Sequence, residues 1–167
     1  MTANSTRSSV VDRQLDAIDL KILRRLQADG RISMKALAAA VGLSVTPCIE
    51  RVRRLEREHV IRGYHARLDP QALGQQLLVF VEIKLAAKSA AAFDAFRREV
   101  RKLPAVMECH LVSGEFDYLI KARIPEMNAY RRLLGDMLLA LPEARDSRSY
   151  IVMEEIKESL ELVIPDR

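Results

Sequence analysis

The sequence predicts an α+β chain in two parts, a small helical unit and then a sheet layered with helices. Three observations carry this. Residues 31–61 hold two short helical patterns separated by Gly42-Leu43-Ser44, the layout of a helix-turn-helix. From residue 77 onward, period-two apolar runs alternate with helical stripes in the order strand, helix, strand, strand, helix, strand, the split βαβ or ferredoxin-like order. Between these, Asp69-Pro70 and the segment Gln71 to Gln76 interrupt both patterns. The expected division is a polar tail over 1–14, a winged helix-turn-helix over 15–69, a linker over 70–76 and a βαββαβ domain over 77–167.

The first helix is expected from about Asp16 to Ala28. Leu15, Ile18, Ile22, Leu23 and Leu26 form one apolar stripe, and Asp16 and Asp19 sit where the helix dipole favours negative charge. Asp29-Gly30 ends it. Ser33 caps a second helix, Met34 to Val41, whose Ala36, Ala39 and Ala40 permit close approach and whose Leu37 and Val41 face the core. Gly42 suits a left-handed helix end, and Leu43 plugs the gap between helices. Ser44 starts a third helix, to about Glu58, with Pro47 in its first turn and Cys48, Val52 and Leu55 facing inward. Val60 to Leu68, broken at Gly63, reads as a small hairpin wing.

In the second half, Leu77, Val79, Val81, Ile83 and Leu85 share one face of a strand, with Glu82 and Lys84 on the other. Phe93, Phe96, Val100 and Leu103 mark a helix stopped by Pro104. Met107, Cys109 and Leu111 alternate in a second strand, with Val106 and Val112 on its other face. Tyr118, Ile120, Ala122 and Ile124 alternate in a third. Met127, Tyr130, Leu133, Leu134, Met137, Leu138 and Leu141 mark a second helix, followed by Pro142. Ser147 to Ile156 is the fourth strand, and Leu160 to Ile164 is an apolar tail able to add a fifth. Leu78, Phe80 and Val152 lie on the sheet face away from the helices, and a second copy of the chain is the economical partner for that face.

Composition narrows the class. Residues 1–74 carry 13 Lys and Arg against 8 Asp and Glu, a net of +5, whereas residues 75–167 carry 14 against 15, a net of −1. A basic half beside a helix-turn-helix suits a polyanion, because neutralising phosphates releases counterions. The longest apolar run, Leu77 to Val81, is too short to span a bilayer, and the first residues have no signal-peptide core. A cytoplasmic protein with no membrane partner is expected. Cys48 and Cys109 lie in different patterns and are expected to be reduced. No residue pair has zinc-ligand spacing, no nucleophile elbow, phosphate loop or dinucleotide fingerprint occurs, and neither cofactor nor enzymatic activity is expected.

Two groups of residues carry chemistry. In a helix-turn-helix the start of the second helix meets the groove, which puts Ser44, Val45, Thr46 and Pro47 against base edges. Arg51 and Arg54, three apart, are the expected phosphate or base contacts, with Arg31, Lys35 and Arg62 adding backbone contacts. Arg53 and Arg57 are left to solubility or pairing, and the plainer reading of the whole helix is a solvated one in which Arg54 pairs with Glu50 and Glu58. The other group is the turn Ser113-Gly114-Glu115-Phe116-Asp117-Tyr118. Its glycine lets backbone N–H groups face a carboxylate, Asp117 can pair an ammonium, and Leu111, Met127, Tyr150, Ile151 and Val152 can wall an apolar side chain. Those are the contacts a free amino acid needs. On the residues alone, a plain hairpin with a solvated aspartate is the simpler reading, and Glu115 reads as solvated.

Certain stretches are more specific. LDAIDLKIL, DGRIS, GLSVTPCIERVRRLE and IRGY in the first half, and ECHLVSGEFDYL, IPEM with AYRRLLG, and SYIVMEEIK in the second, resemble the Lrp/AsnC family of prokaryotic transcription factors, its leucine-responsive branch above all. The likeness runs from about Leu15 to the end. It implies a winged helix-turn-helix that binds double-stranded DNA, and a ligand domain called RAM (regulation of amino-acid metabolism). It further implies dimers that assemble into tetramers or octamers, and an amino-acid effector held around the 113–118 turn, between RAM domains of adjacent dimers. Association with the nucleoid is implied too. Leucine is the expected effector. The alternatives are an architectural protein that wraps DNA with little ligand response, and a small-molecule module without DNA function.

Overall fold

The computed structural model describes residues 15–140 and 144–165. In chain order the elements are α1 (Ala17–Ala28), α2 (Met34–Val41), α3 (Val45–Arg57), β1 (Leu77–Leu85), α4 (Ala90–Val100), β2 (Val106–Leu111), β3 (Tyr118–Ile124), α5 (Met127–Ala140) and β4 (Ala144–Ile151). The expected tail over 1–14, and Leu141 and Pro142, lie outside the described residues. So do the side chains of Met137 and Leu138. Two units divide the chain: Leu68–Glu158 forms one, and the chain up to Arg67 forms the other together with its end, from Ser159.

In the helical unit, Asp16 caps α1 through a reciprocal box. Its carboxylate accepts the Asp19 N–H at 2.8 Å, and the Asp19 carboxylate accepts the Asp16 N–H at 3.2 Å. Ser33 caps α2 on the Ala36 N–H at 3.2 Å. Gly42 ends α2 in the left-handed region (φ 75, ψ 34). The Leu43 N–H reaches back to the Ala38 carbonyl at 2.9 Å, which turns the chain tightly into α3. Ile22, Leu37, Cys48 and Leu55 are fully excluded from solvent in the three-helix core, and Leu43, Val60 and Ile61 pack on its margin.

The expected hairpin wing is corrected: residues 60–69 contain no strand. The Val60 and Ile61 N–H groups both donate to the Leu55 carbonyl, so the first half of the segment folds back onto the helices. The Tyr64 hydroxyl is drawn to the Glu56 carboxylate of α3 at 3.1 Å. Half-burial and that carboxylate push its pKa up to about 12. With Val60, Ile61 and Tyr64 committed to α3, the first half of the segment forms no strand.

The second unit is a four-stranded antiparallel sheet in the order β2-β3-β1-β4, with α4 and α5 on one face. That is the ferredoxin-like arrangement expected. Val79, Val81, Ile83, Ile120, Ala122 and Ile124 fill the core under Phe96, Val100 and Leu133. Two expectations are corrected here. A register shift between Val106 and Glu108 turns Val106 as well as Cys109 onto the core and leaves Met107 and Leu111 more than half exposed. And β4 begins earlier and ends at Ile151, so Glu154 and Glu155 are not in a strand. The Val152 N–H still bonds the Leu78 carbonyl, after which Glu155 pairs with Arg123 at 2.6 Å on the helix-free face of the sheet.

No fifth strand forms over Leu160–Ile164 among the described residues. Its backbone groups are satisfied by side chains of α1 instead. Gln27 both donates to the Leu162 carbonyl (2.8 Å) and accepts from the Leu162 N–H (3.0 Å), and Arg24 donates to the Pro165 carbonyl at 2.7 Å.

Candidate functional site

The candidate reader surface begins with the start of α3. Ser44 stands at the N-cap position but makes no side-chain capping bond, so its hydroxyl is not spent on its own helix. Ser44, Val45 and Thr46 are exposed and Pro47 is half-buried, while Cys48, Val52 and Leu55 face the core. The helix therefore presents its first turn outward, as the turn geometry required. Arg31, Lys35 and Arg62 are exposed.

Arg51 and Arg54 depart from expectation. The Arg51 guanidinium donates to Asp16 at 2.6 Å and to Asp19 at 2.9 Å, and Arg54 donates to the other oxygen of Asp19 at 2.5 Å. Asp19 is completely buried. These arginines hold α3 to α1, a role their spacing does not predict. Glu50 and Glu58, the partners expected from spacing, are not the ones Arg54 uses. The hydrogen bonds that Arg51 donates to Asp16 and Asp19 raise its pKa above its ordinary value. For Asp16 the Asp19 N–H, together with Arg51, outweighs desolvation and lowers the pKa. Arg53 and Arg57, one turn apart, are the exposed basic residues of α3. Sequence reasoning missed this reversal, although a signal existed: Asp19 interrupts the apolar stripe of α1 between Leu15 and Ile22.

Around the turn, Gly114 takes φ 146, and Ser113, Gly114 and Glu115 are exposed. Glu115 and Phe116 line a cleft of about 290 Å³ together with Glu82 and Lys84 of β1 and Asp146, Ser147 and Arg148 of β4. In register, Glu82 stands opposite Arg148 and Lys84 opposite Asp146. The cleft thus holds both signs of charge and one aromatic wall. The volume is at the lower end for small-molecule sites. Alternation put Glu82 and Lys84 on the helix-free face, but their meeting with β4 depends on a strand register that spacing does not reveal.

Asp117 is not in this cleft. It is 5% exposed. One carboxylate oxygen accepts the Leu85 N–H at 2.8 Å, and the other pairs with Lys88 at 3.0 Å. Its own N–H bonds the Ile83 carbonyl at 2.9 Å. Burial works to raise its pKa, but the Leu85 N–H and Lys88 prevail and lower it. Asp117 pins the turn to the end of β1, which corrects its expected role as the ammonium partner. Tyr118 is corrected as well: its ring stacks on Phe96 at a centroid distance of 3.8 Å and meets Phe93 edge-on at 6.1 Å, inside the core.

The remaining expected wall residues lie elsewhere. Leu111 pairs with Tyr118 at the turn end of the sheet. At the opposite end, Ile124 pairs with Leu77 just before Met127, and Ile151 pairs with Val79 just before Val152. The length of β3 separates these ends by about 20 Å. Met127, Tyr150 and Ile151 are exposed there, and Val152 is half-buried. Among the described residues no group of His, Cys, Asp and Glu could hold a metal, and no helix is long and apolar enough to cross a membrane.

The helix-turn-helix with its outward first turn, joined to a ferredoxin-like unit with a two-sign cleft at its turn end, defines a two-domain DNA-reading protein with a small-molecule domain. Sequence comparison is more specific. Residues 15–56 match the AsnC-type helix-turn-helix domain, and residues 78–162 match the Lrp/AsnC ligand-binding domain. The leucine-responsive regulatory proteins of Escherichia coli K12 and Salmonella typhimurium LT2 are each 56% identical over 155 residues, 93% of this chain and 94% of theirs. A transcriptional regulator of Neisseria meningitidis, solved with L-methionine, superposes with a TM-score of 0.83 at 36% identity, covering 89% of this chain and 96% of its own. A feast or famine regulatory protein of Mycobacterium tuberculosis, also complexed with L-methionine, gives 0.80 at 34% identity, covering 90% and 99%. The chain belongs to the Lrp/AsnC family of transcription regulators, with a DNA-binding helix-turn-helix and an amino-acid-binding domain.

Proposed function

We propose that this chain is a regulator of amino-acid metabolism, that its effector is leucine or another apolar amino acid of similar size, and that the effector acts through the assembly of copies. Relatives named for leucine and a related regulator solved with methionine support an apolar effector. The observation that carries the reading further is the separation of the two expected halves of the site. The turn and its charged cleft lie at one end of β3, and Met127, Tyr150, Ile151 and Val152 lie about 20 Å away at the other. One amino acid cannot touch both ends of one chain. It can touch both if the turn of one copy meets the far end of another. The cleft then supplies the polar contacts: Lys84 and Arg148 for the carboxylate, Glu115 and Asp146 for the ammonium. The second copy supplies the apolar wall.

Such a ligand favours the assembled state and shifts the balance of oligomers by its preference for it. Assembly in turn sets how many reader domains engage one DNA segment, and so the avidity. At the DNA, Ser44, Val45, Thr46 and Pro47 meet the groove, with Arg31, Arg53, Arg57 and Arg62 on the phosphates.

Mixing tests the two-copy site. Copies carrying Gly114→Val and copies carrying Met127→Glu should each fail to bind leucine, and mixed oligomers should regain part of the binding in calorimetry. No recovery in oligomers shown to contain both would refute the shared site.

A further inference from the structure

α3 carries four arginines, and the structure divides them into two pairs. Arg53 and Arg57 are exposed. Arg51 and Arg54 end on the carboxylates of α1, Arg51 on both Asp16 and Asp19, and Arg54 on Asp19. Asp19 has no solvent exposure, whereas the side chains of Arg51 and Arg54 keep 29% and 37% of theirs. The two arginines therefore reach inward from the edge of the reader surface to an acid that has no other route to water. A buried carboxylate stripped of its cations is heavily penalised. Neither arginine can swing to a phosphate without leaving Asp19 with one partner fewer. The local charges also cancel, two guanidiniums against Asp16 and Asp19.

We propose that Asp19 is a specificity-determining residue of the reader domain: its buried carboxylate withholds Arg51 and Arg54 from the DNA phosphates. Two of the four positive charges on the recognition helix are thereby removed from sequence-independent binding, which rises with every phosphate neutralised. The same bonds fix the pitch of α3 against α1, so the exposed first turn meets the groove in one orientation. A family member that must choose among many sites gains from a reader with low background affinity, since discrimination is the ratio of specific to non-specific binding. The proposal rests on the family's DNA-binding role and adds which cations perform it.

The salt dependence of binding to a duplex of random sequence separates this from a purely structural clamp. Full-length wild type, Asp19→Asn, Arg51→Gln, Arg54→Gln and the triple Asp19→Asn/Arg51→Gln/Arg54→Gln are compared, with folding checked by circular dichroism. Asparagine keeps the shape and removes the charge. Asp19→Asn should steepen the slope of log K against log salt by up to about 1.8 per bound reader, the contribution of two added phosphate contacts. The triple variant should return to the wild-type slope, and the single arginine variants should leave it unchanged. A folded Asp19→Asn with the wild-type slope would overturn the proposal. So would a fall of about 0.9 in either arginine variant, because that arginine would then already hold a phosphate. Should Asp19→Asn fail to fold, the arginine variants decide the question alone. A wild type that binds no duplex at any salt would instead refute the DNA-binding reading itself.

Discussion

Replacing Asp117 separates a fold role from a ligand role. In Asp117→Ala, the Leu85 N–H loses its acceptor in a buried position. An orphaned buried donor costs about 1–3 kcal/mol. The pair with Lys88 adds little, because the Lys88 side chain is 60% exposed and a pair so screened contributes about 0–1 kcal/mol. The total is about 1–4 kcal/mol, enough to lower the melting temperature of a domain this size by at least roughly 4 °C. Asp117→Asn keeps a carbonyl oxygen for Leu85 and should cost about 1 kcal/mol or less.

The wild-type carboxylate also titrates below its ordinary 3.8 in the fold. A folded pKa below the unfolded one gives stability that is complete above about pH 4 and fades as acid protonates the group. The asparagine variant should therefore lose part of the acid sensitivity of wild type. Urea unfolding at pH 7 and pH 3.5 reads both effects, and calorimetry with leucine reads the ligand. Leucine should bind Asp117→Asn nearly as it binds wild type. An asparagine variant with wild-type stability and no leucine binding would place Asp117 on the ligand and refute this reasoning.

Further outcomes are expected. Arg53→Ala should weaken operator binding and reduce the salt slope by about 0.9 per reader, in titrations that leave the oligomer size unchanged. Lys84→Ala and Arg148→Ala should reduce leucine affinity in calorimetry while leaving random-duplex binding and thermal stability within experimental error of wild type. Gly42→Ala should destabilise the reader domain by about 1 kcal/mol in thermal melts, because φ 75 is strained for a residue with a Cβ.

Local pattern gave the architecture reliably. The Gly42 turn, the three helices, the inward faces of β1 and β3 and the βαββαβ order follow from residue spacing, because one buried face imposes its period on the chain. The misses share another cause. The wing over 60–68 had the composition of a hairpin, but Leu55 and Glu56 of α3 claim Val60, Ile61 and Tyr64. Arg54 had glutamates at helical spacing on its own helix, yet a carboxylate on α1 holds it. Asp117 stood in an inviting turn, yet the end of β1 uses it. The last two are contacts between segments far apart in sequence, and the first is a short-range fold-back onto a helix end; no repeating local period encodes either kind. The candidate site was half readable for the same reason. Its turn is legible in the residues, but the charged floor beside it depends on the register of β4 against β1, and the proposed apolar wall comes from a second copy, which no single-chain pattern encodes.

The central claim is that DNA and amino acid act on one equilibrium. Reciprocity tests it: if leucine changes operator affinity by some factor, operator DNA must change leucine affinity by the same factor. The decisive measurement is leucine calorimetry on the free protein and on the protein saturated with operator duplex, beside operator titrations with and without leucine. The account predicts two shifts equal in size and sign, accompanied by a change in oligomer size. Leucine affinity unaltered by DNA, with operator affinity unaltered by leucine, would contradict it.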